Sequence, residues 1–171
     1  MTLRRRLIGA VMTWPDAAGW RLCGIMGCLA VAGIGAVAAV SGLVRWQPDT
    51  EGWPVRLGMI MLVPAFSEEL VFRGLLTPTR GEGAHDRVWL IGGLVAFVLW
   101  HIVEALTFLS GAAHLFLRAD FLLCAAILGA ACSTMRYRTG SIWPGVLLHA
   151  VTVFAWQMFL GGPGFARLMT A

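Results

Sequence analysis

Glu68, Glu69 and Arg73 stand in the stretch Glu68-Glu69-Leu70-Val71-Phe72-Arg73, inside an apolar run from Val55 to Leu76. A run of about 20 apolar residues is what a helix needs to cross the hydrocarbon core of a bilayer. A charged residue near the middle of such a span costs roughly 2.5–3.5 kcal/mol. Three ionisable groups within six positions therefore call for a chemical reason rather than a packing one. Two other apolar runs carry comparable groups. Phe97-Val98-Leu99-Trp100-His101 is followed by Glu104, and Pro144-Gly145-Val146-Leu147-Leu148 leads to His149. Glutamate and histidine together suit hydrolysis, in which one group activates water and another stabilises the oxyanion.

The spacing predicts a division of roles. Glu69 and Arg73 are four residues apart and share a helix face. Glu68 is turned about 100° from Glu69 and has no such partner. Arg73 would hold Glu69 ionised and fixed, leaving Glu68 to face the reaction as general base. Two hydrolytic routes are open to these residues. Glu68, His101 and His149 could ligate a zinc ion that activates water. Alternatively, Glu68 and His101 activate water directly, His149 donates to the oxyanion, and no cofactor is required. The compact zinc signature HExxH is absent, so ligands would come from three separate helices. Glu104, three residues after His101, either orients its ring or lies near the outer surface. His85 sits in a charged loop and reads as solvated. His114, Arg118 and Asp120 lie near an edge and receive no role.

Those groups need helices to position them. Hydrophobic residues make up 58% of the 171-residue chain, and the mean hydropathy is +0.78, values of a membrane-embedded domain. The fold class is all-α, a polytopic transmembrane bundle of about five spans. They are drawn at Leu22 to Val44, Val55 to Leu76, Val88 to Leu109, His114 or Asp120 to Met135, and Ser141 to Leu160. Residues 1–21 form a cytoplasmic or interfacial leader, 22–54 the first span and its loop, 55–160 the core, and 161–171 a short tail. Taking ~1.5 Å per residue, Glu68, His101 and His149 lie roughly 14, 20 and 12 Å from the cytoplasmic ends of their spans. All three fall in one middle band, which allows one shared site. Pro64 and Pro144 each precede a polar site by about a turn, remove a backbone N–H and are expected to distort their helices. Trp20, Trp46, Trp53, Trp89 and Trp143 mark span edges, while Trp100 and Trp156 pack inside. The four cysteines read as small buried hydrophobes.

The positive charge is all arginine, scattered between apolar runs. It reads as a topology signal rather than a nucleic-acid face. Arg4, Arg5, Arg6, Arg21, Arg80, Arg87, Arg136 and Arg138 gather on one predicted side. Arg45, Arg56, Arg118 and Arg167 gather on the other. The excess places the N-terminus in the cytoplasm.

These residues resemble the CPBP family of intramembrane endopeptidases, which includes the type II CAAX prenyl proteases and bacteriocin-processing proteins. Its EExxxR motif is met by Glu68, Glu69 and Arg73, and its FxxxH motif by Phe97 and His101. Its last-helix histidine is met by His149, after the turn Tyr137 to Pro144. The resemblance covers Val55 to Leu160. It implies cleavage of a peptide bond in a membrane protein or peptide substrate, prenylated, C-terminally tagged or bacteriocin-like, at the lipid bilayer of a bacterial inner membrane. It implies that Glu68 and His101 activate water, that His149 stabilises the oxyanion, and that Glu69, Arg73 and Phe97 support them. Many members carry Asn four residues after that histidine. Here the position is Val153, with Thr152 and Gln157 as the nearest polar replacements. A lost oxyanion donor typically costs about 10²–10³ in rate, so a non-catalytic immunity or binding protein is the alternative reading.

Overall fold

The computed structural model describes residues 3–82, 85–164 and 168–169; Arg167 and the other residues of the expected tail from 165 onward, apart from 168 and 169, lie outside the described residues. Helix α1 (Leu3–Met12) is followed by α2 (Ala17–Val40), which starts where the Asp16 carboxylate accepts the Gly19 N–H at 2.7 Å, an ordinary N-cap. Helix α3 (Trp53–Ile60) runs on through two wide π-helical stretches, Met61–Phe66 and Glu69–Leu75. Helices α4 (Asp86–Leu106), α5 (Ala113–Phe116), α6 (Ala119–Thr139) and α7 (Trp143–Phe159) complete the bundle. Helix α6 stops at Gly140, whose φ of 74° is the left-handed conformation that ends helices.

Helix α6 is central, with α2, α4 and α7 all packed on it. Large apolar side chains face outward along the long helices, among them Leu29 and Val31 on α2, Ile91 and Val95 on α4, and Val151 on α7. Such a surface is a liability in water and the required one in lipid. The molecule is an all-α membrane bundle, as its composition implies.

Three helices, α2, α4 and α6, are long and apolar enough to cross a membrane as unbroken rods. The second expected span is broken. Val63 is extended (φ −139°, ψ 115°), because the residue before a proline is pushed out of the helical region and Pro64 offers no N–H. Pro144 does not distort its helix as expected. It sits in the first turn of α7, where a missing N–H costs nothing. The fifth span is correspondingly short, at 17 residues. The fourth starts at Ala119, leaving His114 in the separate short α5.

Polar ties separate the two ends of the bundle. At one end Arg6 Nε donates to Glu82 Oε1 at 2.7 Å and Arg6 Nη1 to the Leu75 carbonyl at 2.9 Å. The Ile142 N–H bonds the Ala10 carbonyl at 3.1 Å, and Trp143 Nε1 bonds that of Val11 at 2.7 Å. The expected leader is thus docked on the core. At the other end an extended stretch lies along the close of α7. The amides of Arg45, Gln47 and Asp49 satisfy the carbonyls of Leu160, Phe159 and Met158 at 3.2, 2.8 and 2.8 Å, groups the helix leaves unpaired. Arg118 Nη2 reaches Ser41 O there at 3.0 Å. Of the expected first arginine group, Arg136 is not a surface charge. It is buried and donates through Nε to the Arg73 carbonyl at 3.2 Å and through Nη1 to that of Gly140. Cys28 is exposed on α2, against expectation, and all four cysteines are free.

Candidate active site

The break at Val63 opens the wall of the bundle just before Glu68. A cavity of about 660 Å³ begins there, lined by Val63, Pro64, Glu68, His101, Glu104 and His149 in its depth and by Asp49 and Arg56 towards one end. Glu68, His101 and His149 come from three elements and meet on this one space. The wide turns around Glu68 belong to a helix form often found at functional sites. Thr77 repairs the far end, its hydroxyl donating to the Phe72 carbonyl at 2.9 Å.

Behind the cavity wall lies an ion cluster. Glu69 is fully buried and Arg73 is 1% exposed. Arg73 Nη1 lies 3.2 Å from Glu69 Oε1, and His149 Nδ1 lies 3.2 Å from the same oxygen. Arg73 Nη2 donates to the Gly129 carbonyl at 2.9 Å, and its guanidinium sits 4.0 Å from the centre of the Phe97 ring, a cation–π contact. Phe97 also packs edge-on against His101 and His149, with centroids 4.9 and 6.1 Å away. One arginine thus fixes a carboxylate, and the carboxylate fixes a histidine on another helix.

The ring partners define which nitrogens face the cavity. His101 Nδ1 lies 3.0 Å from the Phe97 carbonyl. A carbonyl only accepts, so the proton sits on Nδ1 and Nε2 is left as an acceptor. The same holds for neutral His149, whose Nδ1 faces Glu69. When His149 takes up a proton, Glu69 balances the charge and Nε2 becomes a donor. Glu68 Oε2 is buried without a hydrogen-bond partner among the described residues, an acceptor aimed at something a substrate or water must supply.

Thr152 does not join this group. Its hydroxyl donates to Leu148 O at 2.8 Å, and it lines not the main cavity but an apolar cleft between α2, α6 and α7 that reaches His101 and His149 from the other side. Val153 and Gln157 do line the main cavity. Glu104 is 8% exposed and also faces it; it does not orient His101 through Nδ1, which Phe97 occupies. Two glycines escaped sequence reasoning. A side chain at Gly129 would lie 2.8 Å from Phe97 and 2.9 Å from Arg73, and one at Gly145 would lie 2.8 Å from Glu69. Their signal was present as small residues on α6 and α7, but nothing in sequence paired them with the Glu69–Leu75 stretch.

Among the described residues no three of His, Cys, Asp and Glu are drawn together as a ligand group for a metal ion. Glu68, His101 and His149 share a cavity but are not gathered around a common point.

No curated protein and no solved structure matches the chain. Residues 50–155, more than half of it, match the family model described as type II CAAX prenyl endopeptidase Rce1-like. Those residues hold the break at Val63, the residues Glu68, His101 and His149 and the Arg73 cluster behind them, and the chain belongs to that family of membrane endopeptidases.

Proposed function

We propose that the protein hydrolyses a peptide bond near the C-terminus of a membrane-associated protein, by water that Glu68 and His101 activate without a metal. The observation that carries this is the convergence of three elements on one cavity, with Glu68 Oε2 unpartnered there. A water between Glu68 and His101 donates one hydrogen bond to the carboxylate, which takes that proton as the water attacks, and a second hydrogen bond to His101 Nε2. Its lone pair is then free to attack the carbonyl carbon. Protonated His149, held by Glu69, donates from Nε2 to the oxyanion. The substrate class is a prenylated or C-terminally tagged protein, or a bacteriocin-like peptide. The arginine distribution supports a cytoplasmic N-terminus, and the family resemblance supports a bacterial inner membrane as the location.

The test is cleavage of a farnesylated CAAX peptide by the purified protein in proteoliposomes, followed by mass spectrometry. Glu68→Gln is expected to lower the rate by about 10²–10⁴, the worth of a general base, and a zinc chelator is expected to leave it unchanged. Full activity of Glu68→Gln, or loss to the chelator with recovery on adding zinc, would overturn the mechanism.

A further inference from the structure

Peptide hydrolysis needs two proton movements. Water loses one, and the departing nitrogen must gain one, because an amide anion is too basic to leave. The cavity's histidines do not supply the second as neutral rings. As neutral rings each has its Nδ1 turned to an acceptor, Phe97 O or Glu69 Oε1, and presents an unprotonated Nε2; protonated His149, in the reading above, gives its Nε2–H to the oxyanion. Arg73 stays behind the wall with Glu69.

Glu104 lies on α4 one turn beyond His101, 8% exposed, lining the same cavity as Glu68. No ion pair joins it to a cation among the described residues. Two carboxyls that line one desolvated cavity resist ionising together, and carboxyls that share a site divide into an acid and a base. The other elements around the cavity add Asp49 and Arg56 towards one end, His149 and Gln157 on α7, and the aromatic Phe116 and Phe121.

We propose that Glu104 is a catalytic acid, which protonates the departing nitrogen while Glu68 deprotonates the attacking water. This rests on the hydrolytic reading above. Water gives its proton to the Glu68 carboxylate and its oxygen to the carbonyl carbon, and the C=O pair becomes the oxyanion. As the oxyanion collapses, C=O re-forms and the C–N bond breaks. The C–N electron pair takes the Glu104 proton, giving a free amine and a carboxylic acid. The proton on Glu68 then returns to Glu104, and both residues are as they began.

A matched pair of probes tests this. One is the farnesylated CAAX peptide with its scissile amide, and the other carries a thioester at the same bond. A thiol, with an ordinary pKa near 8.5, departs as thiolate and needs no acid. Glu104→Gln is expected to slow amide cleavage by about 10²–10⁴ and to leave thioester cleavage at the wild-type rate, while Glu68→Gln abolishes both. Retained thioester cleavage also reports that the variant folds. Equal loss on both probes is decided by Glu104→Asp: an amide-to-thioester ratio like the wild type's overturns the proposal, and a lowered ratio supports it. Undiminished amide cleavage by Glu104→Gln overturns it outright. A wild-type protein inert on both probes, and on a C-terminally tagged and a bacteriocin-like peptide, overturns the hydrolytic reading itself, and this inference with it.

Discussion

Gly145 lies on α7 one turn before His149, and its lack of a side chain is what lets Glu69 come close. In Gly145→Ala the new Cβ would stand 2.8 Å from Glu69 Oε2 and 3.3 Å from Cys132 Cβ. Ordinary contact begins at 3.4 Å, so the carboxylate must retreat by about 0.6 Å. It has little freedom to do so. Its other oxygen is held at 3.2 Å by both Arg73 and His149, and the side chain is wholly buried. The retreat therefore reaches the His149 ring. A misplacement of about 1 Å in a positioned group costs about 10²-fold, so a loss of roughly tenfold in kcat is expected. Stability should change less. Alanine in place of a helical glycine gains about 0.5–1 kcal/mol, while overpacking costs about 1–3 kcal/mol. The net loss, at most about 2.5 kcal/mol, corresponds to a fall in Tm of no more than roughly 10 °C for a chain of this size. Peptide cleavage and thermal unfolding on one detergent-purified sample measure both. Glu69→Asp shortens the carboxylate, so Gly145→Ala should add little in that background, a departure from additivity expected of touching residues. Full activity of Gly145→Ala with an unchanged Tm would refute the claim that Glu69 positions His149.

The buried pair and the docked leader give two further tests. Glu69→Gln leaves Arg73 buried without its anion and should cost about 3–5 kcal/mol, whereas the double change Glu69→Gln with Arg73→Met should cost less; thermal unfolding of both variants checks this, and equal costs would contradict it. Burial works against the Glu82 charge, but the Thr79 backbone N–H and the Arg6 guanidinium outweigh it and hold the carboxyl below the usual glutamate range. A carboxyl so lowered adds stability that is present above its unfolded pKa and lost as pH falls through its folded one. Release of α1, read as trypsin cleavage after Arg6 at neutral pH in Glu82→Gln, or as hydrogen exchange of α1 below about pH 4 in the wild type, is expected; protection of α1 in both would count against the tie.

The helices were legible because their apolar runs are long and their turns carry Pro, Gly and Asp at the ends. The convergence of Glu68, His101 and His149 was legible as matched depth along separate spans. What was not legible followed from contacts between distant segments. Pro64 and Pro144 look alike in sequence, yet one breaks a helix and the other begins one, since only their place relative to the helix start differs. Arg136 counted as a loop charge because it stands near Arg138 and Gly140, but its guanidinium folds back to cap carbonyls inside. Thr152 looked like a substitute donor from its neighbour Val153, but a one-residue step on a helix turns a side chain by about 100°, enough to carry it out of the cavity. Gly129 and Gly145 matter only through Arg73 and Glu69, which lie more than fifty residues away in sequence.

Arg73 touches four parts of the bundle at once: its own segment through Glu69, α4 through Phe97, α6 through Gly129 and, by way of Glu69, α7 through His149. This bears on how the chain enters the membrane. Glu68, Glu69 and Arg73 together would cost an isolated segment about 8–10 kcal/mol to bury in lipid, and Pro64 breaks its hydrogen-bond ladder as well. The groups that offset that cost, the Gly129 carbonyl and the His149 ring, are translated 56 and 80 residues after Arg73 and Glu69 respectively. The segment from Trp53 to Leu75 therefore has no stable transmembrane state of its own during synthesis. It must wait at the interface, or in an insertase, until α6 and α7 have been made, so that the site and the last span enter the bilayer together.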